Sequence, residues 1–236
     1  MFLKLFIQKI ICYITFILLY PATWIWVFVI KRYKINNLYN LRKEFQLITK
    51  QINGPLLICP NHLTYIDSVL LLFVFGSLWN YMCKFNTLAW NFPKIDHVKH
   101  NVFYKSVCYL SKCIFVDANT IEKAKYLLST KEYVLLFPEG HRSVNGLVDT
   151  NNFAYGVGKL VASIPNISIL CVYLRGSTQK AKSNFPNAKD RFYCKLSLVT
   201  PEINNNNLRT HRLIARNIIN NLSQMEQEYL IQYAAN

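Results

Sequence analysis

Acidic side chains are scarce in this sequence, and over one long stretch charge is missing altogether. The 236 residues hold 12 Asp+Glu against 27 Lys+Arg, a formal net charge of +15. Such an excess favours polyanionic partners, either nucleic acid or an anionic lipid surface. No pair of the seven cysteines has C-x-x-C spacing, their number is odd, and several sit inside apolar runs. That argues against zinc or a disulfide framework and for free, buried thiols in a reducing compartment. No G-x-S-x-G is present, so a serine nucleophile on a hydrolase-type elbow has no setting. Internal repeats are lacking too, and the one low-complexity stretch is the asparagine run 204–207.

The uncharged stretch runs from Ile10 to Ile30, long enough as a helix to cover about 30 Å, the thickness of a hydrocarbon core. Lys4 and Lys9 precede it, Lys31, Arg32 and Lys34 follow it, and Trp24 and Trp26 lie near its far end, where a membrane interface suits them. A cleaved signal peptide would have a shorter core and a small-residue cleavage site, and this run instead ends in aromatics and a basic cluster. A buried core helix is seldom uncharged for so long. Pro21 sits inside the run and should kink or split the helix, so a single spanning helix and a re-entrant hairpin in one leaflet both fit. The reading is a membrane-associating segment over 1–34 and a second unit over 35–236.

In that second unit, short aliphatic runs alternate with longer amphipathic ones. Strands are expected at 55–59, 113–117, 133–137 and 167–174. Helices are expected at 67–75, at 153–162, and from Asn119, with Glu122 as its capping-box partner, to about Thr130. This alternation predicts an α/β domain with a central, largely parallel or mixed β-sheet flanked by helices. Near the C-terminus Ile214, Ile218, Leu222, Met225 and Tyr229 recur at helical spacing, the mark of a packing face.

Two polar groups fall just past strand ends, where open α/β sheets place their sites. "NHLTYID" supplies Asn61, His62 and Asp67, and "FPEGHRS" supplies Glu139, Gly140, Arg142 and Ser143. Each follows an X-Pro step, which holds the preceding residue extended. His62 and Asp67 are five apart, about 140° on a helical wheel, so they meet only if His62 lies in the turn before the helix that Asp67 begins. Asp67 could then accept a proton from one imidazole nitrogen and leave the other as a general base. The commoner outcome of such spacing is a surface histidine beside a helix N-terminal aspartate. Arg142 offers a fork suited to phosphate, Gly140 permits close backbone approach, and Glu139 could orient Arg142 or bind a hydroxyl. For an isolated copy, a turn with a local salt bridge is the simpler reading.

Taken together and in order, N-H-x4-D and F-P-E-G-x-R-S resemble the glycerolipid acyltransferases typified by 1-acyl-sn-glycerol-3-phosphate (lysophosphatidic acid) acyltransferase. The resemblance covers about 55–177. It includes 153–162, similar to the family's F-x-x-G-x-x-x-L-x-A, and 169–177, similar to its fourth block. It implies transfer of an acyl chain from acyl-CoA or acyl carrier protein to a lysolipid hydroxyl, giving phosphatidic acid when the acceptor is 1-acylglycerol-3-phosphate. His62 is then the base, Asp67 its orienting partner, and Glu139, Gly140, Arg142, Ser143 and Asn61 hold the acceptor. Neither a metal nor a cofactor beyond the thioester co-substrate is implied. The expected partners are anionic membrane lipids, the lysolipid and the donor, not nucleic acid, with the catalytic domain on the cytoplasmic side of a membrane.

This sequence departs from the family pattern at Ala118, where an arginine is usual, with Arg175, Lys112 or Lys84 as stand-ins. It departs also at His141 for threonine, at Ala154-Tyr155 for a basic pair, and at Cys171 for proline. All of these touch acceptor recognition and none touches the dyad. Another lysolipid acceptor, such as a lysophospholipid or an aminoacyl lysolipid, is the first alternative. A covalent route through Cys59 or Ser68, a basic nucleic-acid binder and a non-catalytic membrane protein complete the set.

Overall fold

The computed structural model describes residues 2–94, 101–181, 183–201, 203 and 206–233; Asn204 and Asn205 of the asparagine run lie outside them. Six strands form one mixed sheet: β1 (Lys34–Ile35), β2 (Leu56–Pro60), β3 (Trp90–Asn91), β4 (Val134–Leu135), β5 (Ser168–Gly176) and β6 (Arg191–Val199), in the order β1-β6-β5-β2-β4-β3. Only β5 with β6 is antiparallel; the other four pairings are parallel. The expected α/β class and mixed, helix-flanked sheet are therefore present.

Side chains alternate across each strand, and β2 and β5 show it cleanly. Leu57, Cys59, Ile169, Cys171 and Tyr173 enter one core, with α6 (Thr120–Ser129), α7 (Gly156–Ala162) and α8 (Leu208–Tyr233). Leu56, Ile58, Leu170, Val172 and Leu174 enter the other, with α1 (Phe2–Trp24), α2 (Leu38–Gln51), α3 (Asp67–Phe75) and α4 (Leu78–Cys83). A further helix, α5 (Val102–Leu110), packs beside α1. Burial on both faces explains why β2 reads as a continuous aliphatic run. The stripe expected on α8 is buried from Ile214 to Tyr229. Its crossing with α7 is tight at Gly158, where an added Cβ would lie 1.9 Å from the His211 carbonyl oxygen.

The N-terminal segment forms one helix, not a hairpin. It runs through Pro21 and continues as a π-helical turn over Ile25–Ile30. The Thr23 hydroxyl donates to the Leu19 carbonyl beside the proline, 2.7 Å. Along its length one stripe is docked on the domain: Leu5, Gln8, Cys12, Phe16, Tyr20 and Val27 are buried. Gln8 donates to the carbonyls of Tyr109 and Cys113, and Tyr20 to that of Gly76. The opposite stripe, including Leu3, Ile14, Leu18 and Ile30, is exposed.

Two local expectations fail. Residues 113–117 form no strand, only an isolated bridge from Cys113 to Asn91. They follow β3, itself two residues long, and make single contacts to it before Asp117 turns the chain. Nor is Asn119 a side-chain cap. Its own N–H is instead held by Asp117 Oδ1 at 2.9 Å, and Glu122 pairs with Lys125 rather than closing a capping box.

Candidate active site

β2 ends at Pro60, and the next residue seals the strand end. The Asn61 amide both donates to and accepts from the backbone of Leu174 on β5, at 3.0 and 2.7 Å. Asn61 is thereby buried as a clamp between strands and leaves the group of residues facing a substrate, where the motif had placed it. His62 follows in the turn, and Asp67 is the first residue of α3.

The Asp67 carboxylate gathers four donors from the five residues before it. Oδ2 accepts from the Leu63 N–H at 2.7 Å, the Thr64 N–H at 2.9 Å and His62 Nδ1 at 3.0 Å; Oδ1 accepts from the Thr64 hydroxyl. A carboxylate can only accept, so Nδ1 is the donor in this contact, and Nε2 is the ring nitrogen not bonded to Asp67. The ring lies flat against Phe137, centroids 3.9 Å apart at 19°, and is 20% exposed, whereas Asp67 is 5% exposed. Orientation comes from inside and access from outside. The turn that sequence spacing required has formed.

The second polar edge packs directly behind the first. Phe137 and Pro138 follow β4, and Gly140 turns the chain with φ +71, a left-handed conformation; a Cβ there would also stand 2.9 Å from that of Ala154. Glu139 is buried. Its Oε1 accepts the His62 backbone N–H at 2.8 Å, its Oε2 has no partner among the described residues, and burial pushes its carboxyl up to about 8. The bond from the His62 N–H and the proximity of the Asp149 N–H oppose that rise, and the nearby carboxylates of Asp67 and Glu226 add to it. Glu139 thus bonds to the backbone of the base, neither to Arg142 nor to open solvent. The Ser143 N–H donates to the His62 carbonyl, 2.9 Å. The Ser143 hydroxyl is turned inward to Asn145 and Leu147, which removes Ser143 too from the substrate-facing set.

Arg142 lies 3.7 Å over the Tyr65 ring and donates one Nη1 to the Ser183 carbonyl and Asn184 Oδ1, at 3.0 and 3.1 Å. Its other nitrogens have no partner among the described residues, so a phosphate could still be gripped from that side. His141 contacts the Glu139 carbonyl oxygen through Nδ1 at 2.7 Å and stands 3.7 Å from Asp149.

Two of the three stand-ins for the arginine absent at Ala118 are occupied elsewhere. Lys112 is fully buried against Glu132 and the carbonyls of Phe85 and Leu88, and burial lowers it to about 8. Arg175 is buried too, bonded to the carbonyls of Gly146 and Gln179 and 3.5 Å from Glu226. Lys84 is exposed. Cys59 is sealed in the sheet with its thiol pushed well up by burial, the setting of an inert thiol.

Motif spacing did not point to Thr64, Phe137 or Glu226. Thr64 completes the Asp67 cage, and Phe137 is the platform under the imidazole. Glu226, on α8, accepts the Val148 N–H at 3.0 Å and the Tyr173 hydroxyl at 3.1 Å, bracing the loop after Arg142. Phe137 closes an aliphatic run directly before Pro138, and nothing in that run marks it as a platform; the link to α8 had no local signal either. Two surface cavities, of 200 and 310 Å3, lie at α2/β6 and at β6/α8, and neither is lined by His62 or Asp67. Among the described residues no cluster of three or more His, Cys, Asp or Glu could hold a metal ion.

The sheet thus carries a histidine–carboxylate pair at one strand end and a Glu-Gly-x-Arg turn at the next, and family comparison says which class of protein carries them. The family model described as Acyltransferase matches residues 32–175, and the chain belongs to that family. The match contains both polar edges and excludes α1, β6 and α8. Among solved structures the chain is similar to the 1-acyl-sn-glycerophosphate (LPA) acyltransferase PlsC of Thermotoga maritima, at 12% identity and a TM-score of 0.46 over 95% of this chain and 97% of that one. No curated protein matches.

Proposed function

We propose that the protein moves a fatty acyl chain from a thioester, acyl-CoA or acyl carrier protein, to the free hydroxyl of a lysophospholipid, with 1-acyl-sn-glycerol-3-phosphate as the acceptor and phosphatidic acid as the product. The observation that carries this is the 3.0 Å contact from His62 Nδ1 to Asp67, made by a side chain that stays 20% exposed.

In this mechanism Nε2 takes the proton of the acceptor hydroxyl as its oxygen attacks the thioester carbonyl. Asp67 steadies the imidazolium that forms. Collapse of the tetrahedral intermediate breaks the carbon–sulfur bond, and the imidazolium returns its proton to the departing thiolate. No acyl-enzyme is needed. Arg142 holds the acceptor phosphate through its unpartnered nitrogens, and Gly140 lets the acceptor approach the backbone. Glu139 keeps His62 in place from behind.

The docked inner stripe of α1 and its apolar outer stripe support attachment within one leaflet rather than a crossing, with the catalytic domain on the cytoplasmic side. Lipids and the thioester donor are the partners; nucleic acid is not. A second reading keeps the chemistry and changes the acceptor to another lysolipid. Ala118 favours it, because Lys112 and Arg175 are committed to other bonds.

The test is detergent-purified protein offered a panel of lysolipids with each donor type, following thiol release and lipid product together. Thiol release dependent on lysophosphatidic acid supports the first reading. Dependence on a different lysolipid selects the second, and none with any acceptor rejects both.

A further inference from the structure

Where the N-terminal helix ends, the chain gathers five cations that the acyl-transfer mechanism does not use. After Ile30 the backbone passes Lys31 and then Arg32, which is left-handed at φ 57. It then pairs Lys34 with Arg191 across the β1–β6 bridge. Lys189, left-handed at φ 65, donates its N–H to the Lys31 carbonyl at 2.8 Å. Lys31 is thus backbone neighbour to Lys189, and Lys34 to Arg191, with Arg32 between. Four of the five are exposed and Lys31 is half-buried.

This arrangement is unfavourable by itself. Like charges directly opposite on paired strands repel, and left-handed non-glycine residues are strained. The nearest acid gives no relief, since Asp190 is buried and its carboxylate is bonded to Ser177, Thr178 and the Arg191 N–H. Among the described residues none of the five cations is in an ion pair. Local rules broken together, without compensation inside the fold, mark a surface shaped for something outside it.

Its neighbours say what that is. Trp24, Ile25, Val29 and Ile30 are exposed at the same end of the helix, and so is Phe185. Lys31 lies 5.6 Å over the Trp26 ring, which in turn meets Phe185 at 6.2 Å. An apolar face rimmed by aromatics and then by bare cations follows the profile of a bilayer from acyl chains to headgroups. The same short stretch also reaches the site. Asn184 holds Arg142 and accepts the Tyr65 N–H, and the Pro186 carbonyl accepts the Tyr33 hydroxyl.

We propose that Lys31, Arg32, Lys34, Lys189 and Arg191 form a docking surface for the headgroups of anionic phospholipids, seating the protein so that the Arg142 turn faces the lipid surface. The claim concerns binding and stands apart from acyl transfer, so either can fail alone.

The test is flotation of the full chain with vesicles of phosphatidylcholine alone or with added phosphatidylglycerol. Wild type should bind the anionic vesicles more tightly, and added salt should weaken that preference. The triple variant Lys34→Gln, Lys189→Gln, Arg191→Gln should lose about a hundredfold of it, roughly fivefold per cation, while retaining its binding to neutral vesicles. Each single change should lose about fivefold, which keeps the test available if the triple variant melts early. A control triple at exposed cations elsewhere, Lys50→Gln, Arg209→Gln, Arg216→Gln, should stay close to wild type. Equal losses in both triples would mean that net charge alone matters and would overturn the proposal. So would a wild type indifferent to phosphatidylglycerol. Displacement from anionic vesicles by free CoA would assign the patch to the donor's phosphates instead.

Discussion

The two polar edges of the sheet are built in opposite ways. The first is local: all four hydrogen bonds to Asp67 come from residues 62–64, within five positions of it. The second is assembled from a distance. The Pro138–Asp149 stretch is held by Ala154, Arg175, Ser183, Asn184 and Glu226. The proposed division of labour follows this difference. The chemical step rests on a compact cage that one helix start can enforce, and acceptor recognition rests on a loop whose shape depends on several elements.

Breaking the local edge should have the largest effect. Asp67→Asn replaces an acceptor-only carboxylate with an amide that can donate to Nδ1 and favour the wrong tautomer, so kcat should fall about 10²–10⁴-fold. A steady-state assay at saturating acceptor reads this directly. Arg142→Ala should raise the acceptor KM about tenfold or more while changing kcat much less, because a phosphate clamp contributes uniform binding; an unchanged KM removes Arg142 from that role. Glu226→Ala lies outside the family match and removes the brace on Val148 and Tyr173. It should raise the acceptor KM severalfold and leave the pH profile of kcat in place. A matching fall in kcat would tie α8 to the first edge as well.

The smallest effect joins the two edges. Glu139 moves from 4.5 to about 8 on burial, so between those values the native state holds a proton that the unfolded chain has lost. Its stabilising contribution is complete below the lower value and disappears as pH rises toward the upper one. Thermal melts of wild type should therefore fall with rising pH across this window more steeply than those of Glu139→Gln. Parallel slopes would show that Glu139 is not buried in this way.

Legibility in the sequence follows the same division. The helix start at Asp67, the turn at His62 and the aliphatic strand before them are encoded within a dozen residues, and all three formed where the spacing put them. β6 was equally readable, since Phe192, Cys194 and Leu196 alternate with Arg191, Tyr193 and Lys195, yet its half-buried pattern was not recognised as a strand. Asn61 and Ser143 were misjudged because a motif cannot say which way a polar side chain turns; both turn inward to satisfy backbone groups. Lys112 and Arg175 looked like spare cations because their partners, Glu132 and Glu226, lie 20 and 51 residues away. Residues 113–117 had strand composition, but the neighbour they needed was an edge strand of two residues.

The central claim is that His62 is the base. The decisive measurement is acceptor-dependent thiol release and lipid product formation by His62→Ala, compared with wild type at matched melting temperature and matched vesicle binding. The account predicts a loss of about 10²-fold or more with fold and membrane binding intact. Turnover within a few-fold of wild type would contradict it.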